Sequence, residues 1–90
     1  MEEILHQAEL LEKEYDWLGA IESYGNALNL VPANDFLRMG QIGECLGNAF
    51  YRAAMQAESQ EEFRERMQRA IDAYEKTHES YERMAEKQKT

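Results

Sequence analysis

The 90-residue sequence predicts an all-α fold of antiparallel helical hairpins, and three observations carry that reading. Apolar residues recur every three or four positions in four separate stretches, the spacing of a helix face. No run reads as a continuous strand, and the only proline, Pro32, falls between two of those stretches, where it stops a helix. Apolar residues make up 43% of the chain against 31% charged, too many for a disordered segment. One small domain spanning residues 1–90 is expected, close to the lower limit of what a single core can hold.

The first stretch, Ile4, Ala8, Leu11 and Tyr15, predicts a helix from about residue 2 to 14, with Leu5 and Leu10 beside its stripe. Asp16 is placed to cap a second helix, whose broad face carries Trp17, Ala20, Ile21, Tyr24, Ala27, Leu28 and Val31 before Pro32 ends it. Small residues alternate there with an aromatic at helical spacing, a pattern that lets two backbones approach while the ring fills the gap.

Asn34 or Asp35 is placed to cap a third, longer helix with the stripe Met39, Ile42, Leu46, Ala49, Phe50, Ala53 and Ala57. Gly40, Gly43 and Gly47 lie inside it. Each helical glycine costs about 1 kcal/mol against alanine, so these three are expected where a neighbouring helix crosses too closely for side chains. Ser59, Gln60, Glu61, Glu62 spells a capping box. It opens a fourth helix with the stripe Phe63, Met67, Ala70, Ile71, Tyr74, His78, Tyr81, Met84 and Ala85, and a polar end from Glu86 to Thr90 that is expected to fray.

Eighteen acidic residues against ten basic ones give a formal charge of −8, which repels phosphate backbones and anionic membrane surfaces. Neither nucleic acid nor membrane is an expected partner. Arg64, Arg66 and Arg69 are interleaved with Glu61, Glu62 and Glu65 at helix-pairing distances, the pattern of a solvated face. Cys45 is the only cysteine, so no internal disulfide forms, and a reducing cytoplasmic setting is expected. The start Met1, Glu2, Glu3 lacks a basic region followed by an apolar one, and no run reaches membrane-spanning length.

Both histidines occur as Glu-x-x-His: Glu3 with His6, and Glu75 with His78. With Glu22 and Glu44 they match the ligand inventory of a carboxylate-bridged metal site in a four-helix protein, which is the alternative reading. His6, however, lies opposite the apolar stripe of its helix, Glu3 sits in a terminal turn, and fifteen glutamates in the chain make the coincidence cheap. No metal or cofactor is expected. His78 is expected at the edge of the core, between Tyr74 and Tyr81. No nucleophile motif, phosphate-cradling loop or zinc-type Cys and His spacing is present, so no catalytic residues are assigned and no enzyme is expected. The candidate partner contacts are Asn48, Tyr51 and Arg52, off the main stripe of the third helix, with His78 and Tyr81 on the fourth.

Residues 1–34 resemble the tetratricopeptide repeat, a helix-turn-helix unit of about 34 residues. The resemblance is carried by Ala8 and Leu11 in the first helix, by Trp17, Ala20, Tyr24 and Ala27 in the second, and by Pro32 as its terminator. Leu46, Gly47 and Phe50, followed by Ala70 and Tyr74, resemble a second and divergent copy. Gly47 to Ala70 is 23 residues where Ala8 to Ala20 is 12, so roughly three helical turns have been added across the hairpin. Thr77 stands at a family alanine position, and no proline closes the unit. Residues 4 to 31 also resemble the opening pair of microtubule-interacting and trafficking domains, although those are three-helix bundles.

The tetratricopeptide resemblance implies a non-catalytic protein-interaction scaffold that binds a helix or peptide or self-associates. The carboxylate clamp of some members is not carried over, because Leu5 and Glu9 occupy its first positions. With fewer than two regular repeats, an apolar flank is expected to need a cover: a second copy in a homodimer, further repeats of a longer parent chain, or a different protein. An acidic chain with such a groove is expected to receive a basic or apolar segment.

Overall fold

The computed structural model describes residues 1–89 and contains four helices: α1 (Glu2–Lys13), α2 (Trp17–Leu30), α3 (Phe36–Met55) and α4 (Gln60–Gln88). No strand occurs among the described residues. Each helix packs on the next, α1 on α2, α2 on α3 and α3 on α4, and the longer α3/α4 pair shares the largest interface. The result measures 48 × 28 × 17 Å, with a radius of gyration of 13.7 Å against about 12 Å for a compact chain of this length. The added turns of α3 and α4 draw the molecule out along one axis.

Local chemistry sets the boundaries. The Asp16 carboxylate accepts from the Gly19 amide (2.9 Å), that of Asp35 from the Arg38 amide (3.2 Å), and the Ser59 hydroxyl from the Glu62 amide (3.1 Å). Each satisfies a donor that the first turn of a helix leaves open. Only half of the expected capping box forms at Ser59, since the Glu62 carboxylate pairs forward with Arg66 at 3.2 Å. Val31 is extended (ψ 131°), the conformation that a following proline imposes.

Tyr15 departs from expectation. It lies outside α1, 73% exposed, with a left-handed φ of 62°. The Asp16 amide reaches back to the Leu11 carbonyl and the Tyr15 amide to that of Glu12, both at 2.9 Å. This is a Schellman closure with a tyrosine where glycine usually sits. The chain reverses there, which removes Tyr15 from the stripe of Ile4, Ala8 and Leu11.

The core is built of small residues. Ala8, Ala20, Ala27 and Ala49 are fully buried around Tyr24 and Ile42, with Leu11, Trp17, Leu28 and Leu46 half-buried against them. The expected small residues of α1 and α2 therefore sit at their closest approach. A second line of contact joins α3 to α4. A Cβ on Gly40 would strike the Tyr81 ring, one on Gly43 the Thr77 hydroxyl, and one on Gly47 would stand 2.7 Å from the Tyr74 ring. The three glycines mark the crossing of a neighbouring helix, as their spacing predicts.

The α4 stripe needs correction. Its buried line is Ala70, Ala73 and Thr77, with Met67, Tyr81 and Met84 half-buried. Phe63, Ile71, Tyr74, His78 and Ala85 are exposed. The glycine line of α3 lets α4 approach closely, with Thr77 against Gly43 and the Tyr74 and Tyr81 rings laid over Gly47 and Gly40, so α4 turns Ala70 and Ala73 inward while Phe63 and Ile71 lie along the flank. Helical structure also continues through Gln88, past the expected fraying point at Glu86; Thr90 lies outside the described residues.

Candidate interaction surfaces

Two surfaces flank the α3/α4 pair. On one side, α3 forms the floor of a groove whose walls are the end of α2 and the length of α4. Phe36, Met39 and Leu46 line it with Leu28 and Ala73, and its volume is about 370 Å³, within the range of ligand-binding clefts. Lys76, Glu79 and Arg83 also line it from α4. The Arg83 guanidinium lies 6.0 Å from the centre of the Phe36 ring, at the limit of a cation–π contact. In a chain of charge −8, this groove carries two bases and one acid.

On the other side, Tyr74 and Tyr81 flank Glu44. Tyr74 lies over Gly47 with Tyr51 beside it, and Tyr81 lies over Gly40. Burial raises the Tyr74 phenol above its ordinary value, and the charges of Glu44 and Tyr51 add to the effect. Tyr81 is raised in the same direction, by burial first and then by Glu44, which acts both as a charge and as a hydrogen-bonding neighbour. Each ring has an apolar body and a polar tip.

The expected contact residues divide between these environments. Tyr51 lies within electrostatic range of Tyr74, and Tyr81 neighbours Glu44. Asn48 is half-buried on α3, one turn from Glu44, while Arg52 is exposed. His78 does not lie at the core edge as expected. It is exposed and sits 2.6 Å from Glu82 on the outer surface of α4, a consequence of the rotation that turned Ala73 and Thr77 inward. The groove residues Phe36, Lys76 and Arg83 were not singled out by the sequence. Phe36, Met39, Gly43 and Leu46 do follow helical spacing, and that line was the available signal.

The metal reading requires Glu3 and His6 to approach Glu75 and His78. Among the described residues no three His, Cys, Asp or Glu side chains group as metal ligands. Glu3 and His6 belong to α1, which packs on α2, whereas Glu75 and His78 face outward from α4.

A third polar feature is internal. The Tyr24 hydroxyl donates to the Glu12 carboxylate at 2.7 Å, tying α2 to α1. Burial drives the Tyr24 phenol far up, reinforced by Glu12 and Cys45. Cys45 reaches solvent, but lost hydration raises its thiol, as do Glu12, Glu44 and Glu9, against a lowering hydrogen bond from Tyr24. A raised thiol is the opposite of an activated one.

No protein-family model, curated protein or solved structure matches the chain. No helix among the described residues is long and apolar enough to cross a membrane.

Proposed function

We propose that this protein is a non-catalytic interaction module, similar to one tetratricopeptide unit followed by an elongated hairpin, that receives a partner helix or peptide in the α2/α3/α4 groove. The observation that carries this reading is the apolar floor of Phe36, Met39 and Leu46, left open between two helical walls. An amphipathic segment covers such a floor with residues at i, i+3 and i+4. Lys76 and Arg83 along one wall favour acidic residues beside that apolar face, although the whole chain is acidic, because charges in contact outweigh screened ones farther away. The net charge argues against nucleic acid as a partner, and a single free thiol suits the reducing cytoplasm.

The test is selection from a displayed library of amphipathic helical peptides, with polar faces of either charge. Enrichment of apolar sequences with acidic flanks is expected, with binding lost in Met39→Lys and weakened in Arg83→Glu. Absence of enrichment, or binders indifferent to Met39→Lys, would remove the groove from consideration.

A further inference from the structure

We infer, on the basis of the groove proposed above, that its occupant is an α-helix and not an extended segment. That helix sets two acidic residues seven positions apart against Lys76 and Arg83, and its backbone comes close to α2 at Gly25. Lys76 and Arg83 both line the groove from α4. Each has an acid one turn before it, Asp72 and Glu79, the spacing at which Arg66 pairs with Glu62 and Arg69 with Glu65. Yet among the described residues neither Lys76 nor Arg83 forms an ion pair. Asp72 accepts instead from Gln68 at 3.0 Å, and the Arg83 guanidinium lies over the Phe36 ring in the groove. Both charges are left for a partner to meet.

Their spacing selects a helix. Seven residues of helix rise about 10.5 Å and come back to nearly the same face. A partner helix lying along α4 matches that interval with acids at i and i+7. An extended chain rises roughly 3.3 Å per residue, so it covers the same interval in about three residues, whose side chains point to opposite faces. The floor has the helical rhythm too, with Met39, Gly43 and Leu46 at i, i+4 and i+7. Glu79 lines the wall between the two bases and disfavours a third acid midway.

The α2 wall offers no base, since Glu22 is its one charged residue, so the partner's acids face α4. Ile21, Gly25 and Leu28 follow one another at helical spacing, and Leu28 lines the groove. Ser23 and Asn26 face the other way, into a cleft against α1. Glycine inside a helix is destabilising. At the other four glycines a Cβ would strike a side chain of this protein, whereas at Gly25 it would meet nothing within 4 Å. Gly25 therefore keeps the wall smooth for no neighbour within the chain. Its missing side chain lets a partner helix approach at the short end of the roughly 8–10 Å range of helix packing.

Fluorescence anisotropy with three labelled synthetic peptides tests this on the full chain. The first is an amphipathic helix of about 18 residues, with a leucine and alanine stripe flanked by glutamates at i and i+7. The second has the same composition with the glutamates at i and i+5, and the third carries two central prolines. The first is expected to bind about tenfold tighter than either of the others. Lys76→Glu/Arg83→Glu lowers its affinity by about tenfold or more, and a peptide with lysines at i and i+7 recovers binding to that variant. Gly25→Leu, whose side chain enters open space, keeps its helicity by circular dichroism and weakens binding by about tenfold. Three peptides that bind alike, and all lose binding in Met39→Lys, overturn the helical assignment while the groove stands. Binding indifferent to Met39→Lys, or absent for all three peptides, removes the groove and its helical occupant together. A lysine peptide that recovers nothing overturns the charge pairing, and undiminished binding to Gly25→Leu overturns the close approach at α2.

Discussion

Thr77 turns its hydroxyl toward Gly43, and the oxygen is buried without a hydrogen-bond partner. This pair sets the distance between α3 and α4. An unpaired buried hydroxyl costs about 1–3 kcal/mol, so Thr77→Ala is expected to raise stability by roughly 1 kcal/mol once the lost methyl packing is subtracted. Gly43→Ala meets that hydroxyl and is expected to cost about 1–2 kcal/mol, overpacking exceeding the gain in helix propensity. In the Thr77→Ala background the same substitution becomes neutral or favourable. Urea unfolding of the four proteins measures this coupling, and simple additivity would show that the hydroxyl is not the obstacle.

Tyr15 holds a left-handed conformation at the end of α1, where a side chain costs roughly 1 kcal/mol or more. Its ring is exposed, and its carbonyl accepts from the Gln56 side-chain Nε2 at 3.3 Å, a bond that does not depend on the tyrosine side chain. Tyr15→Gly is therefore expected to stabilise the fold by about 0.5–1 kcal/mol, despite the added freedom of the unfolded chain. A melting temperature that rises by several degrees is the expected reading; a fall would mean that the ring contributes packing.

Asp16 and Asp35 cap different helices through the same geometry, with carboxylates accepting from Gly19 and Arg38. Asp16→Ala and Asp35→Ala are each expected to cost about 1 kcal/mol. The antiparallel packing of α2 on α3 separates the caps by about 20 Å, the length of α2, so the double variant is expected to be additive within ~0.5 kcal/mol. Marked non-additivity would reveal coupling between the two helix starts.

The existence and order of the helices were legible because their punctuation is local. Asp16, Asp35 and Ser59 each satisfy a nearby amide, and Pro32 acts on its own neighbour. The close crossing at Gly40, Gly43 and Gly47 was also legible, since three helical glycines are costly without a reason. The rotation of α4 was not. Burial of large side chains favours Phe63, Ile71 and Tyr74 inside, and only the contact of Gly43 with Thr77 and the burial of Ala70 and Ala73 reveal that small residues go in. The placement of Tyr74 and Tyr81 beside Glu44 depends on that same register, and the groove depends on how far α4 stands from α2. Both relationships are tertiary, and no local signal in the chain records them.

Tyr24 links the core to alkaline pH. Its hydroxyl bond to Glu12 involves a charged acceptor, half-buried, so Tyr24→Phe is expected to cost about 1–2 kcal/mol at neutral pH, or several degrees in melting temperature. The phenol is raised in the folded protein above its ordinary value of 10.0, so the folded state holds the proton more tightly than the unfolded chain. That contribution is complete below pH 10 and is lost as pH rises beyond it. Cys45, raised from 9.0, begins the decline a unit earlier, and Tyr74 and Tyr81 deepen it. Melting curves from pH 8 to pH 11 are therefore expected to fall for the wild type and to fall less steeply for Tyr24→Phe, so that the gap between them narrows. A gap that stays constant across that range would mean that Tyr24 titrates alike in both states, and its role would reduce to the hydrogen bond alone.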